Sequence, residues 1–130
     1  MRIYLLLFIV AAPLFSVSCA TPGGIVSLRQ KVEDNPGSSS AHYELAQAYL
    51  KQGIEWEMLR GVGVPIIVNK GWTNKAKTEF QKVVELDPGN SEPHYWLEVI
   101  YNAQGKYELA DLEAELYTDL VAKEHRRSKK

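Results

Sequence analysis

The residues able to do chemistry in this chain are few: His42, His94 and His125, one cysteine at Cys19, and a glycine-rich stretch, Gly61-Val62-Gly63-Val64-Pro65, ahead of Lys70. A single cysteine cannot form an intramolecular disulfide or a thiolate metal cage. His42 and His94 are 52 residues apart within matching surroundings, and a residue that recurs with its neighbours points to repeated packing rather than to a catalytic base or metal ligand. A phosphate loop needs glycine directly before its lysine and Ser or Thr directly after it. Here Asn69 precedes Lys70 and Gly71 follows, so the glycines serve to bend the chain. No HExxH, CxxC or G-x-S-x-G string occurs, and the carboxylates are scattered. With 15 basic and 16 acidic residues the net charge is −1, which excludes a broad phosphate-binding surface for nucleic acid. No catalytic residue, metal site or cofactor is assigned: the chain reads as a binding protein, not an enzyme.

Cys19 gains meaning from what precedes it. Met1-Arg2 is a minimal positive start, and Ile3 to Phe15 is apolar except for Pro13. Such a segment has signal-peptide architecture and is shorter than the roughly 20 apolar residues that span a bilayer. Phe15-Ser16-Val17-Ser18-Cys19 resembles a bacterial lipobox, with small Ser18 before the cysteine and Ser16 in place of the usual leucine or valine. The resemblance implies a signal peptide over 1–18, lipidation of Cys19, and a short linker over 19–24. It also implies an anchor in a bacterial membrane facing the periplasm, and the outer membrane in particular, because Ala20 replaces the aspartate associated with inner-membrane retention. Cleavage near Ala20, at Ser18-Cys19-Ala20, is the other arrangement the small residues allow, and it releases a soluble periplasmic protein.

The remaining chain is long enough for one ordinary domain, and it repeats itself. Pro36, His42, Tyr43, Leu45, Tyr49, Gln52 and Gly53 recur as Pro88, His94, Tyr95, Leu97, Tyr101, Gln104 and Gly105, every pair 52 apart. Gly71, Ala76 and Leu86 recur as Gly105, Ala110 and Leu120 at an offset of 34. The difference of 18 locates an insertion between Gly53 and Gly71. Apolar residues three and four apart make one buried helix face, alanine permits close helix approach, and proline marks the next turn. The pattern resembles the tetratricopeptide repeat (TPR), a 34-residue helical hairpin stacked on its neighbours. The resemblance implies an all-α fold over 25–122: a short TPR-like solenoid of about two repeats plus a preceding helix, with the insertion in the first full repeat. Helices are expected over 25–34, 39–53, 73–86, 91–104 and 107–124, with Ser91 as an N-cap and Pro93 in a first turn. This sequence departs from the repeat pattern by placing His42 and His94 where a large aromatic is usual.

By the same resemblance, Tyr43, Gln47 and Leu50 of the first unit, with Tyr95, Val99 and Asn102 of the second, line a groove for a partner peptide. The insertion, 54–71, is a second candidate surface, carrying Trp56, Ile66 and Ile67 among nine apolar residues. Two arrangements suit it: Ile54 to Arg60 extends the first helix and the rest folds back to cap the stack, or the run Val64 to Val68 is exposed to a partner or lipid. The C-terminal stretch 123–130 is a basic tail, either a solvated helix end or a contact for anionic headgroups or an acidic partner. The functional expectation is a membrane-anchored adaptor or scaffold of the cell envelope. It would hold another envelope protein or peptide segment, with the membrane reached through lipid on Cys19 and no role for nucleic acid. The alternative is a structural subunit or homo-oligomer that uses the insertion as a fixed interface.

Overall fold

A computed structural model describes residues 23–129; the expected signal peptide, the expected lipidation site Cys19, most of the expected linker and Lys130 lie outside the described residues. Five helices and one two-stranded hairpin follow in the order α1 (Gly23–Asp34), α2 (Ser39–Gly53), β1 (Ile54–Leu59), β2 (Val62–Ile67), α3 (Lys70–Leu86), α4 (Glu92–Ala103) and α5 (Tyr107–Ser128). The expected helices are all present, α1 beginning two residues early and α5 continuing into the basic stretch.

The helix starts are set by local polar groups. Ser38 caps α2 by accepting from the Ala41 amide at 3.2 Å, and Asn69 caps α3 by accepting from Gly71 and Trp72 at 3.0 and 3.2 Å, which starts that helix earlier than its apolar periodicity suggests. Ser91 occupies the N-cap of α4 without a side-chain bond; Asn90 instead accepts from the Glu92 amide at 3.0 Å. Pro93 stands in the first turn, where its missing N–H is not needed.

Helices adjacent in sequence are adjacent in space: α1 packs on α2, α2 on α3, α3 on α4, and α4 on α5. Between them lies a core of Leu45, Tyr49, Phe80, Leu97 and Ile100, with Ala41, Ala46, Ala76 and Ala110 essentially without exposed surface. These alanines let the helix backbones approach closely, as the recurrence of Ala76 as Ala110 suggested. Arg29 Nε donates to the Tyr49 hydroxyl at 2.7 Å, and Gln81 Nε2 donates to the Tyr101 hydroxyl at 3.3 Å. Donors and acceptors in these two bonds are both 52 apart, so α1 stands to α2 as α3 stands to α4.

The recurring histidines are buried, each against a glutamate. His42 Nδ1 lies 2.6 Å from Glu79 Oε2 and its Nε2 lies 3.1 Å from the Pro36 carbonyl. His94 Nδ1 lies 2.6 Å from Glu113 Oε2. Glu79 and Glu113 are themselves 34 apart. Where an aromatic ring is usual, each unit therefore uses a polar ring tied across its own helix pair, and burial of that ring is tolerated because it is hydrogen-bonded.

The insertion corrects the all-α expectation. Residues 54–67 form an antiparallel hairpin in the register Ile54↔Ile67, Trp56↔Pro65 and Leu59↔Val62, and Ile54 to Arg60 does not extend α2. Ile54, Trp56 and Met58 alternate with Glu55 and Glu57 at the strand period of two. Arg60 and Gly61 take φ of 51° and 84°, the two left-handed residues of the tight turn whose twist suits a hairpin. The strands return the chain to its point of departure: Val68 and Asn69 amides both donate to the Gly53 carbonyl, at 3.0 and 3.2 Å. The α2–α3 pair closes as though the hairpin were absent.

Gly53 and Gly105 hold equivalent repeat positions for different physical reasons. Gly105 has φ 71°; its amide donates to Asn102 O at 3.0 Å and the Lys106 amide to Tyr101 O at 2.9 Å, the left-handed helix stop that glycine favours. Gly53 passes straight into β1, and a Cβ there would stand 2.6 Å from both the amide nitrogen and the Oγ1 of Thr73. One glycine serves a dihedral angle, the other the contact between α2 and α3.

Candidate partner-binding surface

The nine residues expected to contact a partner fall into four places. Tyr43, Gln47 and Tyr95 belong to an aromatic cluster shared by α2 and α4. The Tyr43 hydroxyl accepts from Gln47 Nε2 at 3.2 Å and from Trp96 Nε1 at 3.1 Å. Its ring meets Phe80 edge-on at 5.7 Å, Trp96 stacks on Phe80 at 6.4 Å, and Tyr95 packs against Trp96 at 4.9 Å and Tyr117 at 5.8 Å. Burial pushes the Tyr43 phenol above its ordinary pKa, and hydrogen bonding to Glu92 adds to the rise, against the lowering effect of the Trp96 and Gln47 donors. Tyr95 keeps 39% of its surface exposed and is the most accessible ring of this group.

Leu50 and Val99, which the resemblance places in the groove, are core residues with little exposed surface: at the helical period they fall on the faces that α2 and α4 turn toward their neighbouring elements. Asn102 is exposed near the end of α4. Trp56 and Ile66 are exposed on the hairpin, whereas Ile67 packs against the core beside buried Ile54 and pins the hairpin's base.

Above that base the hairpin stands out in solvent with Trp56 51%, Met58 67% and Val62 64% exposed. Opposed residues share a face. Ile54, Trp56, Met58, Gly63, Pro65 and Ile67 line one side, and a Cβ on Gly63 would touch Trp56 at 3.5 Å. Glu55, Glu57 and Leu59 with Val62, Val64 and Ile66 line the other. Of the exposed run expected over Val64 to Val68, Ile66 and Val68 are in solvent while Val64 and Ile67 are half-buried. On the β2 side an open cleft of about 560 Å³ is lined by Pro65, Ile66 and Ile67 together with Lys70, Asn74 and Gln104.

Trp96 is a member of the surface that the repeat comparison missed, because it has no counterpart in the first unit; adjacency to Tyr95 was the available signal. Trp72, under Lys75 Nζ at 4.3 Å, was missed similarly. Among the described residues no cluster of three or more His, Cys, Asp or Glu side chains could hold a metal ion, and no described helix is long and apolar enough to cross a membrane. The basic residues from Lys123 to Arg127 lie in the last turns of α5, and Lys129 is its C-cap.

A tetratricopeptide repeat model matches residues 68–90, the span of α3 and the turn after it. The chain contains a tetratricopeptide repeat, a module that in general mediates protein–protein interaction. No curated protein matches the chain significantly.

Proposed function

We propose that the protein is a lipid-anchored adaptor of the bacterial cell envelope: a short solenoid of tetratricopeptide-like helix pairs, tethered through Cys19 to the outer membrane and facing the periplasm, that holds a segment of another envelope protein. The observation that carries this reading is the hairpin, whose large apolar side chains project into solvent from a frame of repeated helix pairs. A contiguous exposed apolar surface is costly to maintain on a monomer and marks a docking site. The repeat match, the recurring hydrogen bonds and the lipobox-like leader are consistent with it. Tyr95 and Tyr43 with Trp96 form the second surface a partner can use.

The test is crosslinking and pull-down from envelope membranes, comparing the native chain with a variant in which residues 54–67 are replaced by a short glycine-containing turn. Loss of one specific partner from a variant that remains helical and unfolds cooperatively supports the hairpin as the binding element; retention of that partner moves the assignment to the Tyr43 and Tyr95 surface; absence of any specific partner in either case overturns the adaptor reading. Anchoring is tested separately by labelling with a radioactive fatty acid, which Cys19→Ser should abolish.

A second reading, a self-associating structural subunit, is favoured by a different feature. Leu109, Leu112 and Leu116 are exposed at helical spacing on α5, where α3 carries Lys75, Thr78 and Lys82 at the equivalent positions. A mass that rises with concentration, and falls on Leu112→Lys, supports that arrangement.

A further inference from the structure

The two edges of the hairpin are not equivalent. The ladder begins with the Val68 amide on the Gly53 carbonyl, and bonded pairs alternate with unbonded ones along an antiparallel pair. Glu55↔Ile66, Glu57↔Val64 and Leu59↔Val62 therefore exchange the internal bonds, while Trp56↔Pro65 and Met58↔Gly63 turn their amide and carbonyl groups outward. Pro65 costs the ladder nothing and removes a donor from the outer edge of β2, a device that blunts sheet edges. β2 is also the strand that packs toward α4.

β1 has neither protection. Trp56 and Met58 present outward N–H groups, and Ile54, Trp56 and Met58 present outward carbonyls; the Ile54 amide is already spent on Leu50 O. Residues 55–59 are all exposed. Glu55 and Glu57 share one face of this edge, and neither forms an ion pair among the described residues. Trp56 and Met58 share the other. A second copy docking antiparallel through its own β1 would set these carboxylates against their counterparts, which is unfavourable for directly opposed like charges.

We propose that the outer edge of β1 takes up, as a third strand, an extended segment of a partner protein in which Lys or Arg alternates with apolar residues. The backbone supplies the pairing, Glu55 and Glu57 receive the basic side chains, and Trp56 and Met58 cover the apolar ones. A two-stranded ribbon is marginal alone, and a third strand completes it. The inference rests on the adaptor reading and specifies the partner's chemistry.

The test titrates the isotope-labelled full chain, in a nonionic detergent, with an acetylated and amidated heptapeptide of alternating lysine and valine. Binding should slow amide exchange at Trp56 and Met58 while leaving Glu55 and Glu57, already bonded within the ladder, unchanged. The double variant Glu55→Lys/Glu57→Lys and the N-methylated peptide should each weaken binding by about tenfold or more. Met58→Pro, which removes an outward donor together with the Met58 side chain but no bond of the internal ladder, should do the same; where that variant disturbs the hairpin, the N-methylated peptide tests the backbone pairing alone on the unaltered protein. No binding, binding indifferent to N-methylation or charge reversal, or protection at Gly63 and Ile67 in place of Trp56 and Met58, overturns the proposal. Capture of an envelope partner that survives every β1 variant overturns it while leaving the adaptor reading intact, whereas absence of any specific partner removes both.

Discussion

Each helix pair carries one buried histidine–glutamate contact, and breaking one partner alone should cost more than replacing both. In the first unit the His42 and Glu79 side chains are 9% and 21% exposed, with 2.6 Å between Nδ1 and Oε2. A largely desolvated hydrogen bond to an ionised group contributes about 1.5–3 kcal/mol, and a buried polar group left unpartnered carries a penalty of about 1–3 kcal/mol. Glu79→Leu leaves His42 with only the Pro36 carbonyl, so the expected loss is about 2–3 kcal/mol. For a domain of roughly 100 residues this lowers Tm by about 8–20 °C. His42→Phe/Glu79→Leu restores an apolar pair where an aromatic is usual in such repeats, and should recover most of the loss, in line with the near-neutral replacement of buried ion pairs by apolar residues. The assay is urea unfolding followed by far-ultraviolet circular dichroism on the wild type, both single variants and the double variant. A coupling energy of about 1.5 kcal/mol or more is expected. Glu79→Leu costing less than about 0.5 kcal/mol, or a double variant as damaged as the sum of the singles, would refute the reasoning.

Four further outcomes follow from the same geometry. Gly105→Ala should cost about 1–2 kcal/mol because φ 71° strains a residue with a Cβ. Gly53→Ala should cost more than Gly105→Ala, since its Cβ meets backbone and side-chain atoms of Thr73; equal losses in paired denaturant titrations would contradict the two roles. In an alkaline titration read by tyrosinate absorbance, Tyr43→Phe should remove a component that ionises above the ordinary phenol range. Because the folded pKa of Tyr43 is raised, its contribution to stability is present below the unfolded value of about 10 and is lost as pH rises through the folded one. Gly61→Val, at φ 84°, should speed amide exchange at the ladder-bonded residues Glu55, Glu57, Leu59, Val62, Val64 and Ile66 while leaving the α4 core amides unchanged; faster α4 exchange would instead mean that the hairpin braces the helices.

The helix pairs were legible because their signals are local and repeated. Apolar spacing, Ala76 and Ala110, Pro36 and Pro88, and the caps act within a turn or two of chain, so offsets of 52 and 34 expose them without knowledge of contacts. The alternation Ile54-Glu55-Trp56-Glu57-Met58 was also legible as a strand, but the preceding helix and the absence of an Asn-Gly turn concealed it; Arg60-Gly61 supplies the left-handed pair instead. The burial of Leu50 and Val99 was not legible, because resemblance assigns a position to a groove, whereas burial depends on how far each helix rotates toward its neighbours.

From sequence alone came the repeat, its register, the site of the insertion, the helix boundaries to within a few residues, and the expectation of a lipid anchor at Cys19. Only the tertiary structure decided that His42 meets Glu79 and His94 meets Glu113, that Gly53 and Gly105 do different work, and that the hairpin leaves β1 open while Pro65 closes β2. The physical reason is distance along the chain. Periodicity and capping are properties of neighbouring residues, but a buried pair 37 residues apart, a Cβ clash between α2 and α3, and an unpaired strand edge exist only after the backbone has closed on itself.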